Sequence, residues 1–131
     1  MIICGYTDSA LGNSKIYLIK TDVEGNIEWH KTFSYSDLDQ GICVKQTEDG
    51  GYIISCRTGN MTFIKTNHKG ELIWEKTYLY EVNSGVIIHE LKPLSTGYIC
   101  AGWKQVSNQN SDAFLVKLNL QGDTMWTRKY G

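Results

Sequence analysis

The sequence predicts an all-β chain built from a repeated four-stranded unit, and three observations predict it. The segment KTDVEGNIEWHKTF (20–33) returns as KTNHKGELIWEKTY (65–78) and as KLNLQGDTMWTRKY (117–130), each time with Lys, then Gly five residues on, then Trp nine residues on. Short apolar segments alternate with Gly, Asn and Asp turn signals, and Pro93 is the one proline of the chain. No stretch shows the apolar period of an amphipathic helix.

Each unit reads as strands A to D. Strand A is absent from the first unit and runs over 41–47 in the second and 85–91 in the third. Strand B follows a Gly-Tyr start at 51–57 and 97–103, and the first unit joins it one residue late, at 1–6. Strand C, at 16–20, 61–65 and 113–117, is apolar on both faces, as in a sheet covered on both sides. The C–D connections have Asp or Asn first (Asp22, Asn67, Asn119) and Gly fourth (Gly25, Gly70, Gly122), which suits a type I turn closed by a left-handed glycine. Strand D carries Trp29, Trp74 or Trp126. Four residues on stands Phe33, Tyr78 or Tyr130, on the same face because alternate strand residues share a side. A four-residue A–B turn over 48–51 would set Cys43 opposite Cys56. A third A–B turn two residues longer, around Pro93, would make His89 the counterpart of Lys45.

Units of this length, with four antiparallel strands covered on both faces, are the signature of a β-propeller blade. The chain divides into a partial blade at 1–35 and full blades at 36–80 and 81–131. Trp29, Trp74 and Trp126 become wedges between sheets, and Lys20, Lys65 and Lys117 are expected to lay their stems over aromatics with the charge in water. Tyr6 to Lys20 and Trp103 to Lys117 each span 14 positions but Arg57 to Lys65 spans 8, so length variation sits in the B–C loops. These share one face with the D–A loops, where binding is expected. Just under three blades cannot close a ring that needs about 4–8. Self-association is therefore expected, most simply two chains forming a six-bladed ring; the competing reading is a piece of a longer propeller.

The segments Asp49–Ile53, Leu18–Asp22 and Gly25 with Trp29, Lys31 and Phe33 resemble the repeats of bacterial and archaeal propellers that read DGGYIxAG, then LIKxDxxGxxxWxKxY. The resemblance implies a WD40-like closed ring and a secreted or periplasmic parent, although the first residues, MIICGY, lack the basic and apolar regions of a signal peptide. Gly-x-x-x-Trp is also similar to the tryptophan-docking motif of quinoprotein-type propellers, in which that Trp joins blades; no quinone or other cofactor is implied. The spacing of Asp22, Gly25 and Trp29 does not fit a sialidase Asp box, and Gly50-Gly51 precedes the strand that a kelch pair would follow.

With 13 basic and 14 acidic residues the formal charge is -1, so neither nucleic acid nor a membrane surface is an expected partner. No apolar run is long enough to span a bilayer. Cys4, Cys43, Cys56 and Cys100 lack a C-x-x-C spacing and read as buried thiols. His30, His68 and His89 are not placed to share a metal, and no metal is expected. Motifs for a serine nucleophile or a phosphate loop are absent. The ligand-binding candidates are Asp37 and Asp39 in the first D–A loop, whose third-blade counterpart carries Glu81 and Asn83, and Lys45 and His89 on inner strands. Trp103, Lys104 and Gln105 complete the set, beside the polar loop 104–110, where an aromatic with amides could hold a sugar or a peptide. The expected function is a non-catalytic module for protein or glycan binding, or for assembly, through the B–C and D–A loops. The alternatives are a hydrolase or lyase at the channel mouth, or an inactive fragment.

Overall fold

The computed structural model describes residues 1–8, 12–79, 85–105 and 110–131. Among these residues, eleven strands form three antiparallel sheets. The first holds β1 (Ile2–Asp8), β2 (Ser14–Thr21) and β3 (Ile27–Phe33). The second holds β4 (Gln40–Gln46), β5 (Tyr52–Arg57), β6 (Met61–Thr66) and β7 (Leu72–Tyr78). The third holds β8 (Val86–Leu94), β9 (Gly97–Gln105), β10 (Ser111–Leu118) and β11 (Thr124–Tyr130). Every pairing joins neighbours in sequence, so each sheet is a meander in which strands A to D become one row, and the first row lacks its first strand.

The turns that end the third strand of each row are three copies of one device. The Asp22, Asn67 and Asn119 side chains accept the backbone N–H of the residue four positions on, at 2.8, 3.0 and 2.8 Å. Gly25, Gly70 and Gly122 then turn the chain at φ +90, +74 and +83, where a Cβ would be strained. One residue beyond each turn is unpaired: Lys20 faces Trp29 and Thr21 faces Ile27, leaving Glu28 as a bulge, and Ile73 and Met125 are extra in the same way. This bulge precedes each Trp and aims it out of the sheet.

Two expectations about the inner turns are corrected. The second sheet turns through three residues, Glu48 to Gly50, because Gly50 takes φ +79 and the Gly51 carbonyl accepts from Thr47 N at 2.9 Å. That shortening, with a bulge after Gly41, sets Cys43 opposite Ser55 and Cys56 opposite Gly41. Since a one-residue slip changes faces, Cys43 points to the third sheet and Cys56 to the first, and all four cysteines are free thiols. In the third sheet β8 runs on through Pro93, and Leu94 pairs with Gly97 across a two-residue turn. An edge strand tolerates the missing proline N–H. The counterpart of Lys45, which faces Ile53, is therefore Lys92, which faces Ile99; His89 is a bulge residue.

The second sheet is packed on both faces. Ile16 and Leu18 of the first sheet meet Tyr52, Ile54, Cys56 and Ile64. On the other side Ile53, Met61 and Phe63 meet Ile88, Leu91, Tyr98, Cys100 and Val116 of the third. Gly41 permits a close pass of β4 over the first sheet, since a Cβ there would lie 2.9 Å from the Gly5 carbonyl oxygen. A third correction concerns Lys65, which is 4% exposed and not solvated. Its ammonium donates to Asp49 at 2.9 and 3.1 Å and to the Thr66 carbonyl at 3.0 Å, which is how a charge can be held in a sheet interior. Lys20, by contrast, pairs with Glu28 at the surface.

Candidate functional site

The sheets are joined by a repeated contact in which the Trp of one lies on the glycine turn of the next. A Cβ on Gly70 would come 2.7 Å from the Trp29 ring, and one on Gly122 would come 2.8 Å from Trp74, so only glycine fits beneath either indole. Each Trp also meets the Tyr that starts the neighbour's second strand edge-on: Trp29 with Tyr52 at 5.8 Å between centroids, Trp74 with Tyr98 at 6.2 Å. The second joint carries further bonds. Trp74 Nε1 donates to the Leu120 carbonyl at 3.2 Å, the Tyr78 hydroxyl donates to the Gly122 carbonyl, and Lys76 pairs with Asp123.

Above that second joint, at the end of the sheets formed by the tight turns, opens a cleft of about 630 Å³. Its apolar wall is Ile73, Trp74, Leu94, Tyr98 and Leu120. Ile73 is there because the bulge turns it beside Trp74, and Leu120 because it is the second residue of the neighbouring glycine turn. The polar rim is Thr47, Glu48, Asp49 and Lys65 on one side and Ser95 and Gln121 on the other. The Thr47 hydroxyl, then the Lys65 ammonium and the Gly51 N–H, hold the Asp49 carboxyl down to about 2, so it stays ionised. Burial, helped by the charge of Asp49, pushes the Tyr98 phenol up to about 12. Lys65 neutralises Asp49, and Glu48 leaves the rim one negative charge in excess.

The residues singled out from sequence are placed elsewhere, and in two groups. On the inner strands, the Lys45 ammonium reaches Glu90 at 2.8 Å across two sheets, and Trp103 Nε1 donates to His89 Nε2 at 3.0 Å. The latter bond needs Nε2 unprotonated, which leaves the imidazole proton on Nδ1. Lys104 and Gln105 continue β9 toward the loop end, where Gln105 N donates to the Gly85 carbonyl at 2.8 Å. In the loop before β4, Asp39 is fully buried. Its carboxylate accepts from Ser36 Oγ at 2.6 Å, Ser36 N at 3.0 Å and Tyr35 N, so it organises the loop. The Asp37 carbonyl accepts from Ser14 N at 2.9 Å. Glu81, Asn83 and residues 106–109 lie outside the described residues. Among the described residues no three His, Cys, Asp or Glu side chains gather as a metal site, and no helix is long and apolar enough to cross a membrane.

Sequence reasoning missed the cleft, although a signal was present in the repeat. Ile73 stands where the first sheet has Glu28, and Leu120 where the second has His68: apolar residues at turn-end positions that are polar one unit earlier.

No protein-family model and no curated protein matches the chain. Among solved structures, the chain is similar to a protein of unknown function from Bacteroides caccae, with 13% identity and a TM-score of 0.47 over 97% of this chain. The chain spans 61% of the length of that structure.

Proposed function

We propose that the chain is a non-catalytic binding module whose three sheets are blades of a β-propeller, and that it takes an apolar ligand in the cleft between the second and third. The cleft itself is the observation that supports this reading. Its volume lies within the range of small-molecule sites, roughly 300–1,000 Å³, and its wall is aromatic and aliphatic with few polar groups. Those polar groups are suited to orienting a ligand rather than to proton transfer, because Asp49 and Lys65 are committed to each other. The excess negative charge at Glu48 favours a ligand whose apolar body ends in a cation or a donor.

Saturation-transfer NMR with 2-phenylethylamine, benzyl alcohol and phenylacetate tests this. The expected order is amine, alcohol, acid, with the amine signal lost in Leu120→Lys, a position exposed enough to accept the change without unfolding. Equal signals from all three, or an amine signal that survives in Leu120→Lys, would sink the cleft as the site. Turnover in a hydrolase or lyase panel would sink the non-catalytic reading.

A further inference from the structure

The same joint that ties the three sheets together exists as two unmatched halves on the two outer sheets of the described residues. Its donor half is on β11, where Trp126 holds the place of Trp29 and Trp74 and no fourth sheet follows among the described residues. Its acceptor half is the turn at Gly25, which has the φ of Gly70 and Gly122 but nothing within 4 Å of where a Cβ would be.

The side chains around both halves are apolar and open to solvent. Ile3 pairs with Ile19 as Ile54 pairs with Ile64, yet Ile54 is 0% exposed and Ile3 is 41% exposed. Val23, in the place of Leu120, is 94% exposed against 46% there, while Met125, at 58%, is exposed much as Ile73 is at 54%. Tyr130, the counterpart of the Tyr78 that bonds Gly122, is 54% exposed.

We infer that these halves fit each other, so that the β11 edge of one chain docks head-to-tail on the Gly25 turn of a second copy. Trp126 then lies on Gly25, its indole N–H donates to the Val23 carbonyl, and the Tyr130 hydroxyl donates to the Gly25 carbonyl, each repeating a contact of Trp74 or Tyr78. What selects a second copy as the occupant is complementarity at the position beside each Trp and its match across the joint. Glu28 is matched by His68, Ile73 by Leu120, and Met125 by Val23: polar with polar, apolar with apolar. The cross-joint charges repeat this only in part: Lys76 meets the acid Asp123, and the Lys31 stem lies over the Gly70 turn beside the acid Glu71, whereas at the free ends Arg128, over the Trp126 ring at 5.6 Å, would meet the neutral Asn26 as a hydrogen-bond donor. Such a contact uses different patches on the two copies, so it closes into a ring or extends, according to the rotation it imposes. It does not depend on the ligand cleft, which lies at another joint.

Light scattering across a concentration series tests it. The wild-type chain is expected to exceed the mass of one chain. Val23→Glu and Met125→Lys, each at a position already in water and each checked for folding by circular dichroism, are expected to return it to one chain. The double variant places Glu opposite Lys across the joint and is expected to restore the assembly, as only a head-to-tail contact allows. A wild-type chain that stays single throughout, single variants that assemble like wild type, or a double variant that stays single each overturns the inference.

Discussion

The joint between the first and second sheets and the joint between the second and third share a frame and differ in their filling. In both, an indole covers a left-handed glycine and meets a Tyr edge-on at about the same centroid distance. Around that frame the first joint has Glu28, His68 and a Phe, Phe33, with no hydroxyl to donate. The second has Ile73, Leu120 and Tyr78, whose hydroxyl bonds the Gly122 carbonyl. The repeated spacing thus fixes where the sheets meet, while the residues beside it decide whether the joint is flanked by polar or by apolar side chains. Two geometrically similar joints in one small chain can therefore present different chemistry to solvent.

The frame is where the largest effects are expected. Gly122→Ala forces a Cβ into φ +83 and 2.8 Å from the Trp74 ring, whereas Gly25→Ala meets the strained φ but open space. The left-handed conformation costs about 1–2 kcal/mol and the overpacking about 1–3 kcal/mol more. Urea denaturation should therefore show Gly122→Ala losing about 3 kcal/mol and Gly25→Ala about 1 kcal/mol. Both are measured in a Met125→Lys background, so that contact between copies does not enter. Equal losses would mean that the Trp–Gly contact contributes nothing beyond the turn.

A smaller effect separates the two joints by a hydrogen bond. Ser55 is buried and its hydroxyl donates to the Ile88 carbonyl at 2.9 Å, tying the second sheet to the third. The position equivalent to Ser55 on β1 is Cys4, which faces the second sheet with a thiol. Ser55→Ala should cost about 1–2 kcal/mol, because the bond is lost and the carbonyl stays buried. Cys4→Ala, which removes a half-buried thiol and no such bond, should cost less; the reverse order in urea denaturation would show that the first joint is the tighter one.

The legibility of these features in the sequence follows from their physical origin. Strand order, the three glycine turns and the outward Trp were readable because each depends on a local rule: alternation, a left-handed glycine, an Asx side chain. The face of Cys43 and the rank of Lys45 were not, because a single residue in a turn or a bulge inverts a strand's faces. Gly50 in the left-handed region shortened one inner turn, and Pro93 did not end its strand because that strand is an edge. Asp39 read as a ligand because it is acidic and in a loop; its burial and three bonds come from the fold of 34–39 as a whole. The cleft was hidden for a related reason, since the bulge that brings Ile73 beside Trp74 has no sequence mark until the registers are known.

The smallest effect expected is electrostatic and lies on the rim of the cleft. Asp49 is bonded by the Thr47 hydroxyl, the Lys65 ammonium and the Gly51 N–H, and its carboxyl sits near 2 instead of the ordinary value of about 3.9. The folded state therefore holds the ionised form more tightly than the unfolded chain does. The stabilisation is full above about pH 4 and is lost as pH falls through about 2. Because the side chain is more than half exposed, solvent screens the pair and the loss should stay below about 1 kcal/mol. Asp49→Asn keeps the shape and removes the titration, so the difference in urea midpoint between variant and wild type should shrink on going from pH 5 to pH 2. A difference that holds constant or widens over that interval would mean that Lys65 is stabilised in the sheet by the Thr66 carbonyl, not by Asp49. The polar rim of the cleft would then be free to meet a charged ligand on both sides.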